Sequence, residues 1–204
     1  VSTARTTIRL AGYGLAARSK RDNALQYFST RGRDGPLGYE EALLSGLARD
    51  GGLYLPEAWP KFSHEDIAAM QGLSYAELAG LIMAPFCVGE VDEAELTVIA
   101  RDAYAGFDHP DIAPLKPLQE NLYILELFHG PTIAFKDYAM QILARAFDRA
   151  LKKKQQHAVI VGATSGDTGS AALEAFKGLD AVDAFILFPE GRVSPVQQRQ
   201  MTSV

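Results

Sequence analysis

After residue 120 the chain alternates short apolar runs with stretches of helical period, and this alternation restricts the fold more than any other feature of the sequence. Residues 122–127, 158–161 and 184–188 are rich in β-branched, aromatic and other apolar side chains and read as strands. Between the first two, Phe135, Ala139, Ile142, Leu143, Ala146, Phe147, Ala150 and Leu151 recur at helical spacing. Lys152, Lys153 and Lys154 then stand where cations suit a helix C-terminus. Between the second and third runs, residues 170–177 read as a helix stopped by Gly178. Strand–helix–strand–helix–strand predicts an α/β fold, with right-handed crossovers in a parallel sheet flanked by helices. The continuous run at 158–161 suits a strand buried on both faces.

Each crossover begins with a loop that carries chemistry-bearing residues, at the strand end where α/β folds place ligands. In the first, Gly130-Pro-Thr132 is a helix start signal, with Thr132 as the expected cap. Lys136 then falls in the first turn, at the positive end of the helix dipole, an unfavourable place for an ordinary ammonium group. Asp137 beside it pulls the other way, so the balance stays open. In the second, Gly162-Ala-Thr-Ser-Gly-Asp-Thr-Gly169 offers close backbone approach and free N–H groups that attract a carboxylate or phosphate. It has neither the closing Lys-Ser or Lys-Thr of a phosphate-binding Walker loop nor the dinucleotide G-x-G-x-x-G. An amine opposite a row of N–H donors suits carbonyl chemistry on an anionic substrate. Taken singly, each loop also fits a plainer purpose, a solvated lysine with a snorkelling stem and a glycine–serine turn.

Taken together, four segments resemble threonine synthases of the bacterial and fungal branch, within the fold-type II pyridoxal-phosphate (PLP) enzymes. They are Asp50-Gly-Gly-Leu-Tyr-Leu-Pro56, Glu126-Leu-Phe-His-Gly-Pro-Thr-Ile-Ala-Phe-Lys-Asp137, Ala163-Thr-Ser-Gly-Asp-Thr-Gly169 and Phe188-Pro-Glu-Gly-Arg-Val-Ser-Pro195. The resemblance implies a PLP-dependent carbon–oxygen lyase that turns O-phospho-L-homoserine and water into L-threonine and phosphate. It implies that Lys136 condenses with the cofactor aldehyde and later shuttles protons at the α and β carbons. Phe135 would pack beside the cofactor ring, although it reads equally well as a core aromatic. Thr164, Ser165, Gly166, Asp167 and Thr168 would cradle the substrate carboxylate, with Asp167 near the cofactor's phenolic oxygen. Threonine dehydratases and cysteine synthases share the lysine and the serine–glycine loop, but lack Phe128-His-Gly-Pro-Thr and many carry Asn where Asp167 stands. A non-catalytic piece with a vestigial Lys136 is the remaining alternative.

Members of that family are roughly twice this length or more, and their loop for the PLP phosphate lies past the matched region. The expectation is therefore an amino-terminal portion, with an incomplete site and no activity alone, in which a helix begun at 196–201 is cut at Val204. Residues 1–24, rich in Arg, Ser and Thr, read as an extension, first as a disordered leader or a wrongly placed start and second as a transit peptide. Residues 25–112 read as a smaller, mainly helical amino-terminal domain, and 113–204 as the start of the PLP-binding α/β domain. In the former, a helix from Tyr39 to Arg49 should stop at Asp50-Gly-Gly52, and Ser63, Ser74 and Asp92 have capping spacing. Pro110, Pro114 and Pro117 mark a linker.

A net charge of −5 with both signs interspersed argues against nucleic acid as a partner. No apolar stretch is long enough to cross a membrane. The single cysteine, Cys87, lies in an apolar stretch, reads as a buried small hydrophobe and suits a reducing cytoplasm. The expected partner is a small-molecule substrate, and the expected assembly a monomer or homodimer. The four histidines show no metal-ligand spacing, and only His129, flanking the lysine loop, has a candidate role, as a loop spacer.

Overall fold

The computed structural model describes residues 24–203, so the extension expected at 1–24 lies, but for its last residue, outside the described residues, as does Val204. The chain divides into two compact units. One comprises the described residues through Ser74 together with Leu78–Leu96, and the other comprises Tyr75–Glu77 and the chain from Thr97 onward.

The first unit is mainly helical. It contains α1 (Tyr39–Ser45), α2 (His64–Ala69), most of α3 (Tyr75–Met83) and the start of α4 (Glu93–Tyr104). Ser63 and Asp66 form the expected capping box on α2, and Asp92 Oδ1 accepts from Glu95 N–H at 2.8 Å at the head of α4. The helix expected over 39–49 is shorter: Gly46, at φ 67°, takes the left-handed stop four residues ahead of Asp50. At its other end Gly38 offers no side-chain cap, and Glu90 caps from across the unit by accepting the Tyr39 and Glu40 N–H groups at 3.0 and 2.7 Å. Two three-residue strands absent from the sequence-based expectation, β1 (Tyr27–Ser29) and β2 (Tyr54–Pro56), pair antiparallel. The Tyr27 hydroxyl donates to the Phe86 carbonyl at 2.7 Å, and Cys87 and Leu96 are fully buried in the same unit, with Leu81 buried as well.

The second unit carries the rest of the α/β pattern. It begins with the hairpin strands β3 (Leu115–Gln119) and β4 (Leu122–Leu125). Beyond them, β5 (Ala158–Ala163) and β6 (Val182–Leu187) pair in parallel, in register from Ala158↔Val182 to Ala163↔Leu187. Helix α6 (Asp167–Phe176) makes the crossover and packs on β6 and on α5 (Asp137–Lys154). α7 (Pro195–Thr202), capped by Ser194, packs on α6. One correction concerns β5: Val159 and Val161 are 59% and 66% exposed, so the strand is not buried on both faces. Only alternate residues are covered among the described residues, because the sheet has two strands and its helical cover lies on one side.

The strand before the lysine loop is also paired differently from the expectation. β4 does not join the parallel sheet but forms an antiparallel hairpin with β3. Residues 115–119 read as linker from sequence because of Pro117, which cannot donate to a ladder. Pro117 is accommodated at a register shift, where the pairing passes from Pro117↔Tyr123 to Gln119↔Leu122.

Candidate active site

The lysine loop runs from β4 to α5 and is built around one buried carboxylate. Asp137 is fully buried, and its two oxygens accept from the Thr132 N–H at 2.8 Å and the Thr132 hydroxyl at 2.7 Å. Thr132 is thus not the helix cap expected from sequence. Its donors are turned onto Asp137, residues 130–136 close into a tight turn, and α5 starts at Asp137. Gly130 is needed for close approach, since a Cβ there would strike the Asp137 Cβ and carboxyl group. Ile133 sits at φ 64°, a conformation that costs a β-branched residue on the order of 1–3 kcal/mol, and its side chain is 70% exposed.

Two further groups brace this turn. The His129 imidazole lies between Glu126 Oε2 at 3.0 Å and Asp108 Oδ1 at 2.7 Å, while Asp108 N–H donates to the His129 carbonyl at 3.0 Å. The Glu126 hydrogen bond, and after it the Asp108 contact, push the imidazole above its ordinary value against an opposing effect of desolvation. On the helix side, Tyr138 donates its hydroxyl to the Ile112 carbonyl at 2.6 Å. The Tyr104 hydroxyl donates to the Tyr138 carbonyl at 3.0 Å, and Phe107 stacks edge-on between the two rings. The aromatic run from α4 therefore fixes the residue two places after Lys136.

Lys136 itself is the N-cap residue of α5, with helical φ and ψ, and is exposed to solvent along part of its length. Asp137 does not reach its amine, because both carboxylate oxygens are committed to Thr132. Nζ lies instead over the Phe135 ring, 4.3 Å from its centroid. Phe135 is 59% exposed, which removes its reading as a core aromatic.

The glycine loop runs from β5 to α6. Gly166 is the N-cap of α6 and supplies no side-chain cap, so the helix mouth stays open. Thr164 N–H is committed to the Leu187 carbonyl at 3.0 Å and Gly166 N–H to Thr164 Oγ1 at 3.3 Å. The N–H groups of Ser165, Asp167 and Thr168 have no acceptor among the described residues. These three, at the positive end of α6, are what the loop offers to an anion. A Cβ on Gly169 would meet Thr164 Cγ2 at 2.5 Å and Met201 Sδ at 2.8 Å, so that glycine serves packing beneath the loop.

One helix touches both loops. From α7, Gln197 Nε2 donates to Asp167 Oδ1 at 2.8 Å, and Gln200 Nε2 donates to the Thr132 carbonyl at 3.1 Å. Residues three apart on a helix are neighbours, about 5–6 Å between Cβ atoms. The lysine loop, at Thr132, and the glycine loop, at Asp167, are therefore held by adjacent side chains of a single helical face. Neither glutamine is a candidate from sequence, because an amide three places from another amide belongs to no motif. The Thr132–Asp137 clamp also escapes a sequence reading, although threonine and aspartate five apart across a Pro–Thr turn are a visible hint. Among the described residues, no group of three or more His, Cys, Asp or Glu could hold a metal ion, and no helix is long and apolar enough to cross a membrane.

Residues 26–104 match the family described as Threonine synthase N terminus. A threonine synthase of Pseudomonas aeruginosa is 51% identical over 180 residues, covering 88% of this chain and 38% of that protein. Among solved structures, a PLP-bound threonine synthase from Brucella melitensis superposes with a TM-score of 0.84 at 56% identity, covering 88% of this chain and 39% of that one. The yeast threonine synthase does so with a TM-score of 0.83 at 39% identity, covering 88% and 38%. The chain thus spans less than two fifths of the length of these relatives. In sequence and in fold the chain is similar to the amino-terminal portion of these threonine synthases.

Proposed function

We propose that the protein carrying this chain is a threonine synthase, a PLP-dependent lyase that converts O-phospho-L-homoserine and water into L-threonine and phosphate. The observation that carries the proposal is the joining of two loops by α7, one bearing an amine without a carboxylate partner among the described residues and the other an uncapped helix start. Those features fit PLP bound together with an amino acid. A helix mouth whose N–H groups lack acceptors suits the carboxylate, and the Lys136 amine suits the cofactor aldehyde. PLP, when bound, supplies an electron sink for charge that develops at the substrate's α carbon.

The chain's residues would divide the remaining work. Lys136 would hold the cofactor covalently and, once displaced by the substrate amine, take and return protons at the α and β carbons. Its immediate surroundings favour this: Asp137 is occupied by Thr132, so it does not tie up the amine. The N–H groups of Ser165, Asp167 and Thr168 would bind the substrate carboxylate, with the Thr164 and Ser165 hydroxyls at the rim of the same loop. Gly166, lacking a side chain, would leave that mouth accessible. Phe135, whose exposed ring adjoins Lys136, and Asp167, whose second oxygen is not engaged by Gln197, would help to hold the cofactor. We further propose residues 25–112 as an amino-terminal domain and the chain from 113 as the start of the catalytic domain. For the compartment we propose a reducing cytoplasm, in keeping with a sequence that has a single cysteine, Cys87, which is buried.

The full-length protein supplied with PLP and O-phospho-L-homoserine should release phosphate and threonine in equal amounts. Formation of 2-oxobutyrate from threonine, or pyruvate from serine, without turnover of the phosphorylated substrate would replace this proposal with a dehydratase.

A further inference from the structure

We infer that α7 sets the spacing between the amine loop and the anion-binding loop, with Gln197 and Gln200 as positioning residues that couple the two. Its consequence for catalysis rests on the proposed function, whereas the coupling itself rests on geometry alone. Gln200 reaches the carbonyl of Thr132, the residue whose N–H and hydroxyl hold Asp137 and thereby place Lys136. Gln197 reaches Asp167, the first residue of α6.

The Gln197 amide has a fixed orientation. The Ser194 hydroxyl donates to its Oε1 at 3.1 Å, which leaves Nε2 to face Asp167, and its backbone N–H donates back to Ser194 Oγ at 3.2 Å. The glycine loop is shaped to receive α7. A Cβ on Gly166 would lie 3.3 Å from Gln197 Nε2, and one on Gly169 would lie 2.8 Å from the sulfur of Met201, which is only 7% exposed. The two glycines therefore admit this helix as well as a ligand. Both bridging groups are neutral donors facing oxygen acceptors. They can hold the loops together without placing a cation beside the mouth of α6, where it would compete for an incoming carboxylate.

Gln200→Glu and Gln197→Glu keep side-chain size but turn each donor into a group that repels its acceptor. In the full-length protein, backbone hydrogen exchange should rise roughly fivefold at the bonded N–H groups of Thr164 and Gly166 in Gln200→Glu, although the hydrogen bond of Gln200 goes to the lysine loop. The reverse should hold at residues 132–137 in Gln197→Glu. Gln200→Ala, which removes the donor without adding charge, should behave the same way to a smaller degree. In the PLP-loaded protein each variant should raise KM for the amino-acid substrate and lower kcat, while borohydride still fixes the cofactor on Lys136. Exchange changes confined to the loop each glutamine touches, or absent from both, would overturn the coupling. If borohydride fixes no cofactor on Lys136 in the parent protein, the proposed function falls, and the exchange data still decide the coupling.

Discussion

Replacing Asp137 by alanine removes the fully buried carboxylate around which the lysine turn is built. Two donors lose their acceptor, the Thr132 N–H at 2.8 Å and hydroxyl at 2.7 Å, and hydrogen bonds to an ionised group contribute about 1.5–3 kcal/mol each. The gross loss is therefore about 3–6 kcal/mol. Two effects offset it. A carboxylate no longer has to be desolvated, and Ile133 is freed from its φ of 64°, a release of about 1–3 kcal/mol. The net local cost is about 2.5 kcal/mol, which lowers exchange protection across residues 132–140 on the order of fiftyfold. Asp137→Asn, which keeps one acceptor, should lose about half as much free energy. Hydrogen exchange of the full-length protein reads both, and the yield of borohydride-fixed cofactor on Lys136 should fall in step. Protection within about twofold of the parent in Asp137→Ala, with an unchanged label, would show that the turn does not depend on this clamp.

Ile133→Gly should stabilise the same turn by about 1 kcal/mol, because relief of the left-handed strain exceeds the entropy added to the unfolded chain; a gain that persists undiminished in the Asp137→Ala background would refute the link between strain and clamp. The His129 brace should depend on pH. Glu126 and Asp108 raise the imidazole in the folded state, so its contribution is complete below about pH 6.5 and fades as pH rises through the higher folded value. Exchange at the bonded N–H groups of Asp108 and Thr132 should accelerate over that interval beyond its intrinsic rise, and His129→Gln should abolish the extra acceleration. Gly169→Ala forces a methyl against Thr164 Cγ2 and Met201 Sδ and should destabilise the unit by about 1–3 kcal/mol in thermal unfolding.

Much of the second unit was legible because periodicity reports burial. The alternation that predicted helices at 135–151 and 170–177 and strands at 158–161 and 184–188 corresponds to α5, α6, β5 and β6, and the helix expected at 196–201 to α7. What stayed hidden has common physical causes. β1 and β2 have three residues each, too short for a period to emerge. β3 was masked by Pro117, whose missing donor falls at an irregularity in the hairpin. α1 ends at Gly46 rather than at Gly51, a choice between two glycines that local sequence leaves open. The site shows the same division. Lys136 and residues 164–168 stand out because they form motifs, and His129 stands out by position. Asp137 and Thr132, by contrast, act through a side-chain clamp that shifts the helix start, and Gln197 and Gln200 act across 30 and 68 residues of sequence. Such long-range amide contacts leave no local period to read.

The central claim concerns the Lys136 amine, and its most direct measurement is chemical. Full-length protein loaded with PLP, reduced with borohydride and digested should yield one cofactor-bearing peptide, with the label on Lys136 and absent in Lys136→Ala. A label on another lysine, or none on a folded full-length protein that is saturated with the cofactor, would contradict the account.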